Sequence, residues 1–256
     1  MHTGKDHRSC SRLVYADQIC YNSTTNIFTS KTLVAENQER QEAHNLRYYI
    51  ADPHFFHGKL NTNMDCRGFG SAEEMNAYMI TRWNAKVRDN DEVVILGDLT
   101  WGKPQETNGL LNKLHGRLYL IEGNHDKILK KKGYDTSRFA WIKPYEEQKD
   151  NKRKIILSHY PMMCYNGQYR LNENGNPKTY MLYGHVHDTQ DQRLIERFQA
   201  IMKNSFRETE HGEKRAIPSN MINCFCMYSD YTPLTLDEWI ICDQARREQQ
   251  CVEDFM

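Results

Sequence analysis

The chain has 256 residues, with 34 Lys or Arg against 34 Asp or Glu, so its formal net charge is +0 and its pI about 7.2. That balance provides no basic field to hold long nucleic acid nonspecifically, and a mean hydropathy of -0.83 excludes an integral membrane protein. With 39% hydrophobic residues, this length accommodates one domain of about 200 residues plus appendages.

Residues 1–46 carry little apolar periodicity and are expected to be an extension, with a β-hairpin at 14–21 and 27–34 across a turn-rich linker. The domain proper is expected at 47–247 and a short tail at 248–256. Apolar runs at 48–51, 93–96, 118–121, 155–157 and 180–183 read as strands, as do 139–146, 152–158 and 220–228. A helix opens at Ser71, where Glu74 completes a capping box, and buries Met75, Tyr78, Met79, Trp83 and Val87. Further helices are expected at 106–115, briefly after Asp126 as its N-cap, and at 191–204. Thr235 and Glu238 form a second capping box for a last helix to about 247. Segment 164–178, rich in Asn and Gly, reads as a loop near the site. This strand and helix alternation implies two sheets sandwiched by helices. No apolar run approaches a membrane span or signal-peptide core, so the eight cysteines are expected to stay reduced in the cytoplasm, Cys224 and Cys226 as small buried residues.

Five short stretches directly follow or close those strands: Asp52-Pro53-His54, Gly97-Asp98, Gly123-Asn124-His125-Asp126, His159, and Gly184-His185-Val186-His187. In a layered α/β fold, residues just past the carboxyl ends of neighbouring strands converge in one crevice. The set supplies only Asp, Asn and His, donors that Mn, Fe, Zn or Ni accept. Together they describe a two-metal site for cutting phosphate esters.

In order and spacing these blocks resemble the calcineurin-like metallophosphoesterases, with D-x-H, G-D, G-N-H-D/E, H and G-H-x-H in sequence, over roughly residues 47–240. Phe55-Phe56-His57, Arg67-Gly68-Phe69, Arg82-Trp83-Asn84, Asn223 and Tyr231-Thr232-Pro233 extend the resemblance to a small bacterial and phage-type branch. The resemblance implies a four-layer αββα sandwich of two mixed β-sheets flanked by helices. It implies that Asp52, His54, Asp98 and His187 hold one divalent metal ion, and Asp98, Asn124, His159 and His185 the other, with Asp98 as bridge and Mn as the leading metal. Two cations clamped on one water lower its pKa towards neutrality and produce a hydroxide nucleophile. His125, which does not bind metal in the family, is then the general acid for the leaving group. His57 and Arg67 are weaker candidates for contacting the phosphate of a small phosphodiester or phosphomonoester. Trp101 is expected to pack in the core, with a role as a flat wall for substrate as the alternative, and Asn223 to be structural. The protein-phosphatase branch continues its G-D block with a further Asp and Arg, whereas here Leu99-Thr100-Trp101-Gly102 follow, which disfavours a phosphoprotein substrate. A nuclease acting on nucleic-acid ends and a non-catalytic interaction module remain as alternatives. Since every candidate site residue lies beyond residue 46, the extension is not expected to be needed for the chemistry.

Overall fold

The structure is a computed structural model that describes residues 45–253, with side chains to residue 249, so the hairpin expected at 14–34 lies outside the described residues. In chain order the elements are β1 (Arg47–Ile50), α1 (Ala72–Lys86), β2 (Glu92–Ile95), α2 (Pro104–Leu111), β3 (Arg117–Ile121), β4 (Phe139–Lys143), β5 (Tyr145–Asp150), β6 (Arg153–Ser158), β7 (Thr179–Tyr183), α3 (Gln190–Lys203), β8 (Phe206–Glu208), β9 (Lys214–Ala216), β10 (Met221–Asn223) and α4 (Leu236–Glu253).

Two four-stranded sheets form, ordered β1-β2-β3-β4 and β10-β7-β6-β5. All strand pairings within the first are parallel, and an antiparallel bridge joins Tyr49 of its edge strand β1 to Leu234. In the second, only β5 runs antiparallel. A parallel sheet is covered on both faces, so its strands are apolar throughout. Accordingly Val93, Val94 and Ile95 of β2 are all buried. The second sheet alternates instead. Ile155, Leu157, Leu182 and Ile222 join the central core with the first sheet, while Ile156, Met181, Tyr183 and Met221 form an outer cluster with Ile195 of α3.

The helices follow their caps. Ser71 Oγ accepts from the Glu74 backbone N–H at 3.1 Å, but the Glu74 carboxylate takes the N–H of Gly70, not of Ser71, so the expected box is displaced by one residue. Trp83 of α1 is buried in the core and donates its indole N–H to the His115 carbonyl at 3.0 Å. Helix α2 starts two residues earlier than expected because Pro104, its φ already helical, occupies the first turn. The strand expected at 139–146 is two strands in different sheets; Pro144, which cannot donate to a ladder, marks the crossing. The 220–228 strand shortens to β10, followed by a 3₁₀ turn at Cys226–Ser229. The hairpin of β8 and β9 was not anticipated, being exposed and charged, with no apolar alternation to read.

Thr235 and Glu238 do form the capping box, and α4 continues past 247 to Glu253. Trp239 of α4 donates to the Tyr49 carbonyl at 2.9 Å, tying the helix to β1. The two sheets meet at the end of β1, where Ala51 exchanges backbone hydrogen bonds with Cys224 and Cys226. Among the described residues five cysteines are free, Cys224, Cys226 and Cys242 of them buried, and no helix is long and apolar enough to cross a membrane.

Candidate metal centre

Asp52 and His54 follow β1, Asp98 follows β2, Asn124 and His125 follow β3, His159 follows β6, and His185 and His187 follow β7. These strands are parallel within each sheet, and the Ala51 contacts place the carboxyl ends of both sheets side by side. Five distant segments thereby open into one crevice.

The turns that deliver the donors are tight. Asp52, His54, Asp98, His185 and His187 all have left-handed backbone, with φ of 55°, 48°, 54°, 73° and 48°. Such conformations cost on the order of 1–3 kcal/mol each, and concentrate where surrounding structure holds a site in place. Two glycines make room for them. A Cβ on Gly97, itself at φ +89°, would come 2.3 Å from His159 Nδ1, and one on Gly123 would come 2.3 Å from Asp98 Oδ1.

Two groups of three donors lie within 4.8 Å of one another: Asp52 with His54 and His187, and Asp52 with Asp98 and His159. Between them, Asp98 Oδ2 is 3.5 Å from His54 Nε2 and 3.6 Å from His159 Nε2. His54 and His187 present Nε2 atoms 3.2 Å apart, and Asp52 Oδ1 is 3.7 Å from His187 Nε2 and 4.0 Å from His159 Nδ1. Asn124 Oδ1 sits 2.9 Å from His159 Nε2. His185 is exposed, its ring 5.1 Å from that of His159 and 4.6 Å from that of Tyr160.

The electrostatics suit cations. Burial pushes Asp52 up to about 7, and burial likewise raises Asp98, since neither desolvated carboxylate has a full counter-charge. Burial holds His54, His159 and His185 below the ordinary imidazole value, keeping them neutral with lone pairs to offer. His187 is different. Burial opposes its charge, but the hydrogen bond to Asp65 and the carboxylates of Asp52 and Asp65 outweigh it and raise its pKa.

Outer partners fix the rings. His159 Nδ1–H donates to the Leu96 carbonyl at 2.8 Å, and His187 Nδ1–H to Asp65 Oδ1 at 2.7 Å, so both turn an Nε2 lone pair inward. Asp65 was not singled out from sequence; it lies 122 residues from His187 in a loop with no motif to mark it. Asp126 was expected to cap the helix after it, yet no such bond forms. Its buried carboxylate instead accepts the backbone N–H groups of Asp98, Leu99 and Gly123 at 2.8–2.9 Å, bracing the turn that carries Asp98.

Arg67 corrects a second expectation. It is 1% exposed, and its guanidinium is committed to Asp65 and to the carbonyls of Pro53 and Asp52, so it shapes the first ligand turn from behind and does not face a phosphate. His57 does reach the rim, stacked on Trp101 at 4.3 Å and 5.6 Å from the His54 ring, and burial with the Arg67 charge lowers its pKa. Trp101 is half exposed, not in the core. Its indole N–H donates to His54 Nδ1 at 3.1 Å, and its ring lies 5.0 Å from that of His125. Asn223 is structural as expected, its amide N–H groups donating to the His187 carbonyl and to Gln192. His125 is half buried, and its backbone N–H donates to Asp98 Oδ1 at 2.8 Å. Beside it lies a cavity of about 140 Å³ lined by Trp101, Lys127 and Lys131 among others.

The crystal structure of AQ665, a protein of unknown function from Aquifex aeolicus, shares the fold, with a TM-score of 0.52 at 24% identity over 76% of this chain and 97% of that one. The uncharacterized protein MJ1445 of Methanocaldococcus jannaschii is 34% identical over 142 residues, covering 55% of this chain and 68% of the relative. The family model for calcineurin-like phosphoesterases matches residues 48–218, the span that carries all of the donors described above. Family match and buried Asp/His clusters agree on divalent metal ions and on phosphoester chemistry, and the chain belongs to the calcineurin-like phosphoesterases.

Proposed function

We propose that this phosphoesterase works with two metal ions, Mn in the first instance and Fe, Zn or Ni as alternatives, on a small phosphodiester or phosphomonoester. The observation that carries the reading is the position of Asp98 Oδ2, nearly equidistant from a histidine of each donor group. On that reading Asp52, His54, Asp98 and His187 hold one ion and Asp98, Asn124, His159 and His185 the other. When bound, the ions neutralise phosphate oxygens and acidify a water. The donor set fits them: oxygen and imidazole nitrogen only, in buried carboxylates that lack counter-charge.

His125 is the proton donor to the departing oxygen. Its backbone bond to Asp98 Oδ1 couples the acid to the bridging carboxylate, so that both keep one position relative to the scissile bond. The leaving group is received by the cavity beside His125. Trp101 offers it a flat face, and the Lys127 and Lys131 side chains supply positive charge near departing oxygen. About 140 Å³ suits a small group and supports a small ester over a phosphoprotein. On this reading the protein works in the cytoplasm.

The test is a panel of aryl phosphate diesters and monoesters assayed with Mn, Ni, Zn and Fe. Turnover that requires added metal and exceeds the metal-only blank is the expected result. No turnover on any ester with any metal, by protein shown to be metal-loaded, would leave a non-catalytic module as the reading.

A further inference from the structure

At the opposite end of the second sheet, where β6 and β7 begin, lies a cavity of about 480 Å³. Its lining includes six cationic side chains and a single carboxylate, Glu147. Arg153 is turned to Asp237 and Lys154 to Glu147, which leaves Lys149, Lys152, Arg170 and Lys178 with no acid within ion-pair distance among the described residues. The cations are placed by the backbone. Lys149 and Lys154 are direct cross-strand partners, Lys154 N–H donates to the Lys178 carbonyl at 2.8 Å, and Lys178 N–H donates to the Arg170 carbonyl at 2.8 Å. Four adjacent backbone segments therefore set cations in one row. Glu147 offsets Lys154 within the sheet, but Lys149 directly opposite Lys154 is a like charge with no acid of its own among the described residues, which a sheet does not favour.

A second feature marks the same place. Thr179, the register partner of Lys154 on β7, is fully buried, and its hydroxyl has no hydrogen-bond partner. Gly167 closes over it, so near that a Cβ there would sit 3.0 Å from the hydroxyl oxygen and 3.5 Å from the Arg170 and Lys154 side chains. A buried hydroxyl donor beneath a row of cations, most of them without an acid partner among the described residues, is the complement of an anion with several oxygens.

We infer that this cavity is a second ligand site, separate from the metal centre, that binds an oligophosphate chain. The volume is that of a small-molecule site, and a row of cations matches a ligand with several successive charges better than one with a single charge. Lys154 near the start of β6 and His159 just past its end are five residues apart along extended chain, about 16 Å, so one small ligand does not span both sites.

The test is calorimetric titration of the full chain with inorganic triphosphate in the presence of a chelator, which removes metal-dependent binding at the crevice. One equivalent should bind. Lys149→Ala with Arg170→Ala should weaken it at least tenfold and Thr179→Val several-fold, with aryl-ester turnover of both variants within twofold of wild type as proof of folding. ADP and ATP form the second arm. Tighter binding than triphosphate identifies a nucleotide as the source of the chain, and equal binding identifies the phosphates alone; either supports the site. Absent binding, unchanged affinity in both folded variants, or equal displacement by sulfate at matched ionic strength would overturn it.

Discussion

The two halves of the metal centre are built differently. The half formed by Asp52, His54 and His187 is buried and held from outside: Asp65 fixes the His187 ring, Arg67 holds the carbonyls of Asp52 and Pro53, and Trp101 covers His54. On the proposed assignment, the other half is formed by Asn124, His159 and His185 and opens to solvent. Of its three donors only His159 is buried, and His185 has ring neighbours but no anchoring side-chain hydrogen bond among the described residues. Burial and outer hydrogen bonds set affinity and exchange in metal sites, so the closed half should hold its ion tightly and the open half should exchange. Asp98 and its brace, Asp126, join the two.

The sharpest way to break this comparison is to remove the junction. Asp98→Asn should reduce kcat on the order of 1,000-fold, since several kcal/mol of transition-state charge stabilisation depend on both ions. The check is steady-state turnover of an aryl phosphodiester at saturating Mn. His125→Ala comes next. It should lose about 10² to 10⁴ in kcat on alkyl esters while keeping its metal, and lose much less with an activated aryl leaving group that needs little protonation. A loss independent of leaving-group pKa would remove His125 from the acid role.

Asp65→Asn separates the halves directly. Freed from its carboxylate, His187 should weaken ion binding in the closed half by about 10- to 100-fold, and excess metal should restore turnover. His185→Ala should instead weaken only the ion that already exchanges faster. Titrating both variants with Mn and following activity distinguishes these outcomes. The smallest effect belongs to Trp101→Phe, whose turnover should stay within a few-fold. Trp101 lies against His54, so an ion held by His54 should change the wild-type tryptophan emission on adding Mn, and the variant should lose that response.

Much of this was readable because the donors sit immediately after apolar strand runs, where spacing alone says which residues converge. Two of the misses at the site depend on partners distant in sequence. Nothing local tells that Asp65 will meet His187, or that Asp126 will turn from its own helix to the backbone of Asp98. Arg67 was placed at phosphate because its fork suits that ligand, whereas three carbonyl and carboxylate acceptors behind β1 claim it first. Trp101 was expected inside because it is large and apolar, yet its polar edge finds His54 and its face stays half exposed. The 139–146 run looked continuous because both strands around Pro144 are legible as strands; only tertiary pairing assigns them to different sheets.

The central claim is that Asp98 joins two ions in one site, and metal content measured by elemental mass spectrometry tests it most directly. After loading with Mn and removal of free metal, wild-type protein should carry two equivalents per chain and Asp98→Asn at most one. A single equivalent in wild type, or two in the variant with undiminished turnover, would contradict the account.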